Sequence, residues 1–118
     1  EGPNGFRWKG VPERVDSCVY EEGMITSDEP GIYIEGSHGI RTENLIVCRK
    51  GEKNEYGQFM YFETLTCAPI DLDAIDPDLL NADEKHMLNE YHRFVYDTLS
   101  PLMDAEEREW LAKYTRAI

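Results

Sequence analysis

Basic residues are scarce in this chain. Twelve Lys and Arg stand against 24 Asp and Glu, a formal net charge of −12, and that balance argues against nucleic acid and anionic membrane as partners, since both are held mainly through protein cations. Cysteine is scarce too. Cys18, Cys48 and Cys67 are an odd number with no CxxC spacing, which speaks against a disulfide framework and for buried free thiols in a reducing, cytoplasmic compartment. No run approaches the roughly 18 consecutive apolar residues of a membrane span. The amino end, EGPNGFRWKG, has neither an apolar core nor a basic leader of the kind that targeting segments carry. The three histidines form no HExxH pair, and His86 and His92, six apart on one expected helix, project from different faces. An initiator Met is also missing, so a piece processed or excised from a longer protein is expected.

What is present fits one packed domain, or a piece of one. Hydrophobic residues make up 41% of the 118, enough for a modest core. The chain divides into a β-rich part over residues 1–80 and a helical tail over 81–118. Residues 1–23, rich in Gly, Pro and charge, read as irregular. Strands are expected at Met24–Ser27, at Ile32–Ile34 after the Pro30-Gly31 break, at Ile40–Cys48 and at Phe59–Cys67. Gly36–Gly39 reads as a hairpin loop, and Arg49–Gly57 as a polar loop. Strands following one another this closely favour an antiparallel meander, so the fold class is α+β.

Two helices are announced by their starts. Asn81 with Glu84, and Asp104 with Glu107, have the spacing of capping boxes. Met87, Leu88, Tyr91, Val95 and Leu99 recur at helical spacing after the first, and Leu111, Tyr114 and Ile118 after the second. Asp71, Asp73, Asp76 and Asp78 lie between strands and helices. They lack the mid-loop Gly and closing Glu of an EF-hand, so a solvated linker is the better reading than a calcium loop.

Two glutamates carry the chemistry. Along Ile40–Cys48 the side chains alternate between faces, which puts Arg41, Glu43, Leu45 and Val47 on one side. A carboxylate beside two apolar residues needs a cation, and Glu43 meets either Arg41, another partner or a metal. Glu29, before Pro30-Gly31, reads equally as an exposed turn residue or as a ligand. His38 reads as a solvent-exposed loop residue. Glu63, on the face of Tyr61 and Leu65, either supports the same site or pairs with a cation.

The flanks narrow these alternatives. Met24-Ile25-Thr26-Ser27-Asp28-Glu29-Pro30-Gly31-Ile32-Tyr33, followed by Gly39-Ile40-Arg41-Thr42-Glu43-Asn44-Leu45, closely resembles the carboxy-terminal part of the Xaa-Pro aminopeptidases (aminopeptidase P), which are pita-bread metallopeptidases. The likeness extends over nearly the whole chain. Glu1-Gly2-Pro3 is similar to the family's His-Glu-Gly-Pro with the His outside, YFETLTCAPID to a late strand of the larger cytosolic members, and the YH, WL and TRAI segments to their terminal helices. The resemblance implies a partial pita-bread fold and an enzyme that removes the first residue from peptides with proline second.

It also implies a pair of divalent metals, usually manganese, held by two Asp, one His and two Glu. On this likeness Glu29 ligates one metal and takes part in proton transfer, Glu43 bridges both, and Arg41 braces the carboxylates. Such a donor set suits a hard cation. The family's Asp ligands and its first His belong to segments that precede Glu1. The isolated chain is therefore expected to be inactive, to hold no metal tightly and to self-associate through exposed strand edges. Two other readings stand beside this one: a metal-free binding or scaffold module, and a prolidase acting on Xaa-Pro dipeptides.

Overall fold

The computed structural model describes residues 19–118, so the Glu1-Gly2-Pro3 likeness and Cys18 lie outside the described residues. The chain forms two compact units that meet between Thr66 and Cys67 in sequence. The acidic linker therefore goes with the helices, not with the strands.

In the first unit, β1 (Ile25–Asp28) pairs with β4 (Asn44–Asn54), β2 (Gly31–Ile34) pairs with β3 (His38–Arg41), and β4 pairs on its other side with β5 (Gly57–Thr64), all antiparallel. The expected strand Ile40–Cys48 is thus interrupted at Thr42 and Glu43. The interruption has a local cause. One register runs through both pairings, from Ile25 opposite Val47 to Asp28 opposite Asn44, and on from Gly31 opposite Arg41 to Ile34 opposite His38. Extending it over the gap sets Pro30 opposite Thr42. The Thr42 amide donates to the Pro30 carbonyl at 3.1 Å, but Pro30 has no N–H to return the bond, and the ladder lapses there. The two pairings are one long ribbon, closed by a turn in which Gly36 takes φ +70, a conformation glycine adopts without a Cβ penalty. With β5 added, the expected meander has three arms.

The second correction concerns Arg49–Gly57. β4 runs on to Asn54 and returns through a tight turn in which Asn54 Oδ1 accepts from the Tyr56 amide at 3.0 Å. A bulge between Lys50 and Lys53 shifts the register, and the Gln58 amide nitrogen donates to the carbonyls of Gly51 and Phe59 at 2.8 and 2.9 Å. Both faces are solvated there, so the segment shows no hydrophobic alternation and reads as a loop. β5 likewise stops at Thr64, short of Cys67. Val47 and Cys48 are buried because β4 is flanked on both sides, and Tyr20 meets the Phe62 ring edge-on at 5.2 Å.

In the second unit, α1 spans Ala82–Leu99 and α2 spans Ala105–Tyr114. Both capping boxes form in full: Asn81 and Asp104 accept from the amides of Glu84 and Glu107, whose carboxylates reach back to the cap amides at 2.9 Å. Val95 and Leu111 are fully buried, while Met87, expected on the apolar stripe, is 70% exposed. Ile118 lies beyond the end of α2. Among the described residues no helix is long and apolar enough to cross a membrane. Asn81→Ala removes the acceptor for the Glu84 amide and is expected to destabilise the helical unit by about 1 kcal/mol. Urea unfolding followed by circular dichroism at the helical band checks this, since an unchanged midpoint would mean that the cap contributes nothing.

Candidate metal centre

The ribbon register that leaves Pro30 without a partner bond also sets Glu29 opposite Glu43. The backbone bonds at Pro30/Thr42 and Met24/Cys48 mark alternate pairs as the hydrogen-bonded ones, so Glu29/Glu43 falls at a non-hydrogen-bonded position. Side chains approach each other most closely at such positions, with Cβ atoms ~4.5–5.5 Å apart. Glu29, Gly31 and Tyr33 from one arm, and Gly39, Arg41 and Glu43 from the other, share one face. Pro30, Ile32, Ile34, His38, Ile40 and Thr42 line a groove on the opposite face.

Like charges directly across a ribbon destabilise it. One of the two is compensated: Arg41 Nη2 donates to Glu43 Oε2 at 2.8 Å, with both side chains a little under half exposed. The Glu43 charge is the main reason that the pKa of Arg41 lies above its ordinary value, followed by a hydrogen bond with the Tyr33 side chain and then the charge of Glu29. The sequence leaves open whether Glu43 meets Arg41 or a metal. The structure shows the arginine pair, and that pair occupies one of the two carboxylate oxygens.

Tyr33 is the residue that sequence reasoning missed. Its ring crosses the ribbon over two glycines. A Cβ at Gly39 would stand 2.6 Å from the ring, and one at Gly31 would stand 2.6 Å from the phenol oxygen. Only residues without a Cβ let the ring lie flat toward Arg41. Two glycines facing the same tyrosine, one directly across and one two residues back, are the signal that was there to be read.

The remaining candidates lie elsewhere. Glu63 pairs with Arg49 at 2.7 Å, which settles its two readings in favour of a cation partner. His38 is exposed, on the face away from the glutamates, and its Nδ1 is 2.8 Å from Ser37 Oγ. In the acidic linker, Asp71 and Asp76 accept from the amides of Asp73 and Asp78 as caps of short 3-10 turns, and Asp73 faces Arg116 at 3.4 Å. Those carboxylates are engaged in capping and pairing. Among the described residues no three His, Cys, Asp or Glu side chains come together as a metal site. Two opposed carboxylates nonetheless fit part of an oxygen-ligand site for a hard divalent cation, which takes about six ligands and so needs further donors.

The family model for the C-terminal region of peptidase_M24 matches residues 58–118. A probable Xaa-Pro aminopeptidase P of Coprinopsis cinerea is 37% identical over 123 residues, covering 100% of this chain and 19% of that protein. Aminopeptidase P1 of Arabidopsis thaliana is 40% identical over 121 residues, covering 100% of this chain and 18% of the relative. The crystal structure of X-prolyl aminopeptidase from Caenorhabditis elegans, described as a cytosolic enzyme with a di-nuclear active site, superposes with a TM-score of 0.70 at 28% identity, over 84% of this chain and 17% of that one. The chain thus spans about a fifth of the length of these relatives.

The opposed glutamates generate a test. Glu29→Gln removes the cross-strand repulsion, so it is expected to raise the thermal midpoint of the metal-free protein slightly. In the whole protein the same change should weaken divalent-metal binding by more than about 100-fold, the upper range for residues that only support a ligand. A lower midpoint together with unchanged metal affinity in calorimetry would show that the two carboxylates neither repel nor bind.

Proposed function

This chain belongs to the M24 peptidase family, matching its C-terminal region, and from that membership we propose that it forms the carboxy-terminal part of the catalytic domain of a Xaa-Pro aminopeptidase. The observation that carries the reading is the Glu29/Glu43 pair, placed opposite each other by the ribbon register and braced by Arg41. The relatives' names support the substrate class, peptides with proline in the second position, and the pita-bread neighbour supports a two-metal centre.

In this reading Glu43 would be a ligand shared by the metals, and Arg41, donating to Oε2 at 2.8 Å, would orient its carboxylate. Tyr33 lies close enough to Arg41 to favour its charged form, and the two glycines leave room for its ring. Glu29, with no direct ion pair among the described residues, would be a second ligand and would be placed to take up the proton of a metal-activated water. A pair of divalent cations, manganese by the family likeness and hard by the character of the donors, would supply the lowered water pKa and the stabilisation of charge on the scissile carbonyl oxygen. The further ligands lie outside the described residues. Cys48 and Cys67, the two described thiols, are unpaired, which supports a cytoplasmic setting, and the exposed strand edges support a homo-oligomer.

The activity is tested on the whole protein with an Xaa-Pro tripeptide. Glu43→Ala is expected to lower kcat by more than about a thousandfold, the equivalent of the several kcal/mol a catalytic metal supplies, and to reduce bound metal in elemental analysis. Full activity in that variant would sink the assignment, and absence of metal in the wild-type protein would favour the scaffold reading. Cleavage of dipeptides alone, with tripeptides untouched, would turn the assignment to a prolidase. The isolated 118-residue chain is expected to show no hydrolysis, because two carboxylates do not complete a divalent site.

A further inference from the structure

Helix α1 grips two segments that are remote in sequence. Its Tyr91 hydroxyl donates to the Ala68 carbonyl at 2.9 Å, and its His92 Nε2 accepts from the Ile70 amide at 3.0 Å. Asn89 takes the end of the chain, donating to the Ile118 carbonyl at 3.2 Å and accepting from the Ile118 amide at 3.0 Å. We propose that His92 is an acid-sensitive latch, which in its neutral form closes the strap Ala68–Ile70 onto α1 and on protonation releases it.

The direction of one hydrogen bond carries the proposal. A backbone amide can only donate, so Nε2 must present a lone pair, and the neutral ring keeps its proton on Nδ1. Nδ1 has no hydrogen-bond partner in bonding geometry among the described residues, and the side chain is 0% exposed. A second proton would set Nε2–H against the Ile70 N–H and bury a positive charge. Neither defect is relieved by a rotamer change in a closed pocket, so the strap must move. Pro69, just before, has no amide of its own to offer α1.

The charged groups that face the ring add to this. Arg116, in the tail, disfavours a second positive charge there, and Asp73, on the turn Leu72–Ala74, pairs with Arg116 at 3.4 Å, so its charge is already engaged. On α1 itself the neighbouring ring is Tyr91, 5.9 Å away between centroids. Burial is the main cause holding the His92 pKa below its ordinary 6.5, with the backbone of Arg116 offsetting part of it. A depressed folded value means that the open state binds the proton more readily. The stabilisation is then complete above the ordinary value and is lost as pH falls from there through the folded value. The Asn89 and Tyr91 bonds do not involve the imidazole, so they add grip beside the latch.

Peptide-resolved hydrogen exchange on the whole protein, corrected for intrinsic rates, tests the latch. As pH falls below 6.5, a peptide spanning residues 67–72 is expected to lose protection by about tenfold per pH unit until the folded value is reached. A peptide spanning residues 59–65 is expected to stay constant, and His92→Gln, which can accept but cannot be protonated, to flatten the dependence. Unchanged protection of 67–72, parallel loss in both peptides, or the same slope in the glutamine variant would each overturn the proposal. Should that variant fail to fold, the wild-type imidazole titration by NMR decides. His92 ionising at an ordinary value while the Ile70 amide stays protected also overturns it.

Discussion

Two carboxylates face each other at the one place in the ribbon where Pro30 cannot complete the ladder, and the rest of the sheet unit is organised around that repulsion. Arg41 lies on the same face, two residues from one glutamate and diagonal to the other, so it compensates the pair as a whole while bonding only Glu43. Tyr33 lies beside Arg41 and favours its charged form, and Gly31 and Gly39 leave room for the Tyr33 ring. A ribbon built for stability alone would place an apolar pair or an opposite-charge pair at a close cross-strand position. Keeping two acids there is a cost that a bound cation would convert into affinity.

The helical unit handles acidic residues in another way. Much of the chain's negative charge sits where backbone amides or helix N-termini welcome it: Asp71 and Asp76 cap 3-10 turns, Asp83 and Glu84 open α1, and Glu106 and Glu107 open α2. The −12 charge is therefore partly structural, not a uniform coat. Against this polar frame the interior is small, and one of its few fully buried side chains is a histidine. A core that admits an ionisable ring gains a specific bond to the strap at Ile70 and accepts a dependence on pH in return.

The helices were legible in detail, since caps and 3.6-residue periodicity are local properties: both capping boxes formed at the residues that announced them. The strands were legible where one face was apolar, as at Leu45 to Cys48, and illegible where both faces were wet, as from Arg49 to Asn54. The linker aspartates illustrate a limit of composition. Their spacing hints at a cation, while Asp71 and Asp76 in fact accept from amides two residues on and Asp73 pairs with Arg116. His92 shows another limit, because nothing in the periodicity of α1 separates a histidine facing water from one enclosed by a strap and a tail.

The site was divided in the same way. Alternation left Glu29 and Glu43 ambiguous, and the likeness of their flanks to the Xaa-Pro aminopeptidases singled them out with Arg41 as candidate site residues, because residue type and spacing survive in a linear string. Opposition of the two glutamates, the tyrosine laid over two glycines and the sharing of Arg41 between them depend on cross-strand register. Register is set by the turn at Gly36 and by the buried centre of β4, which act across the ribbon and leave no trace at the positions they align.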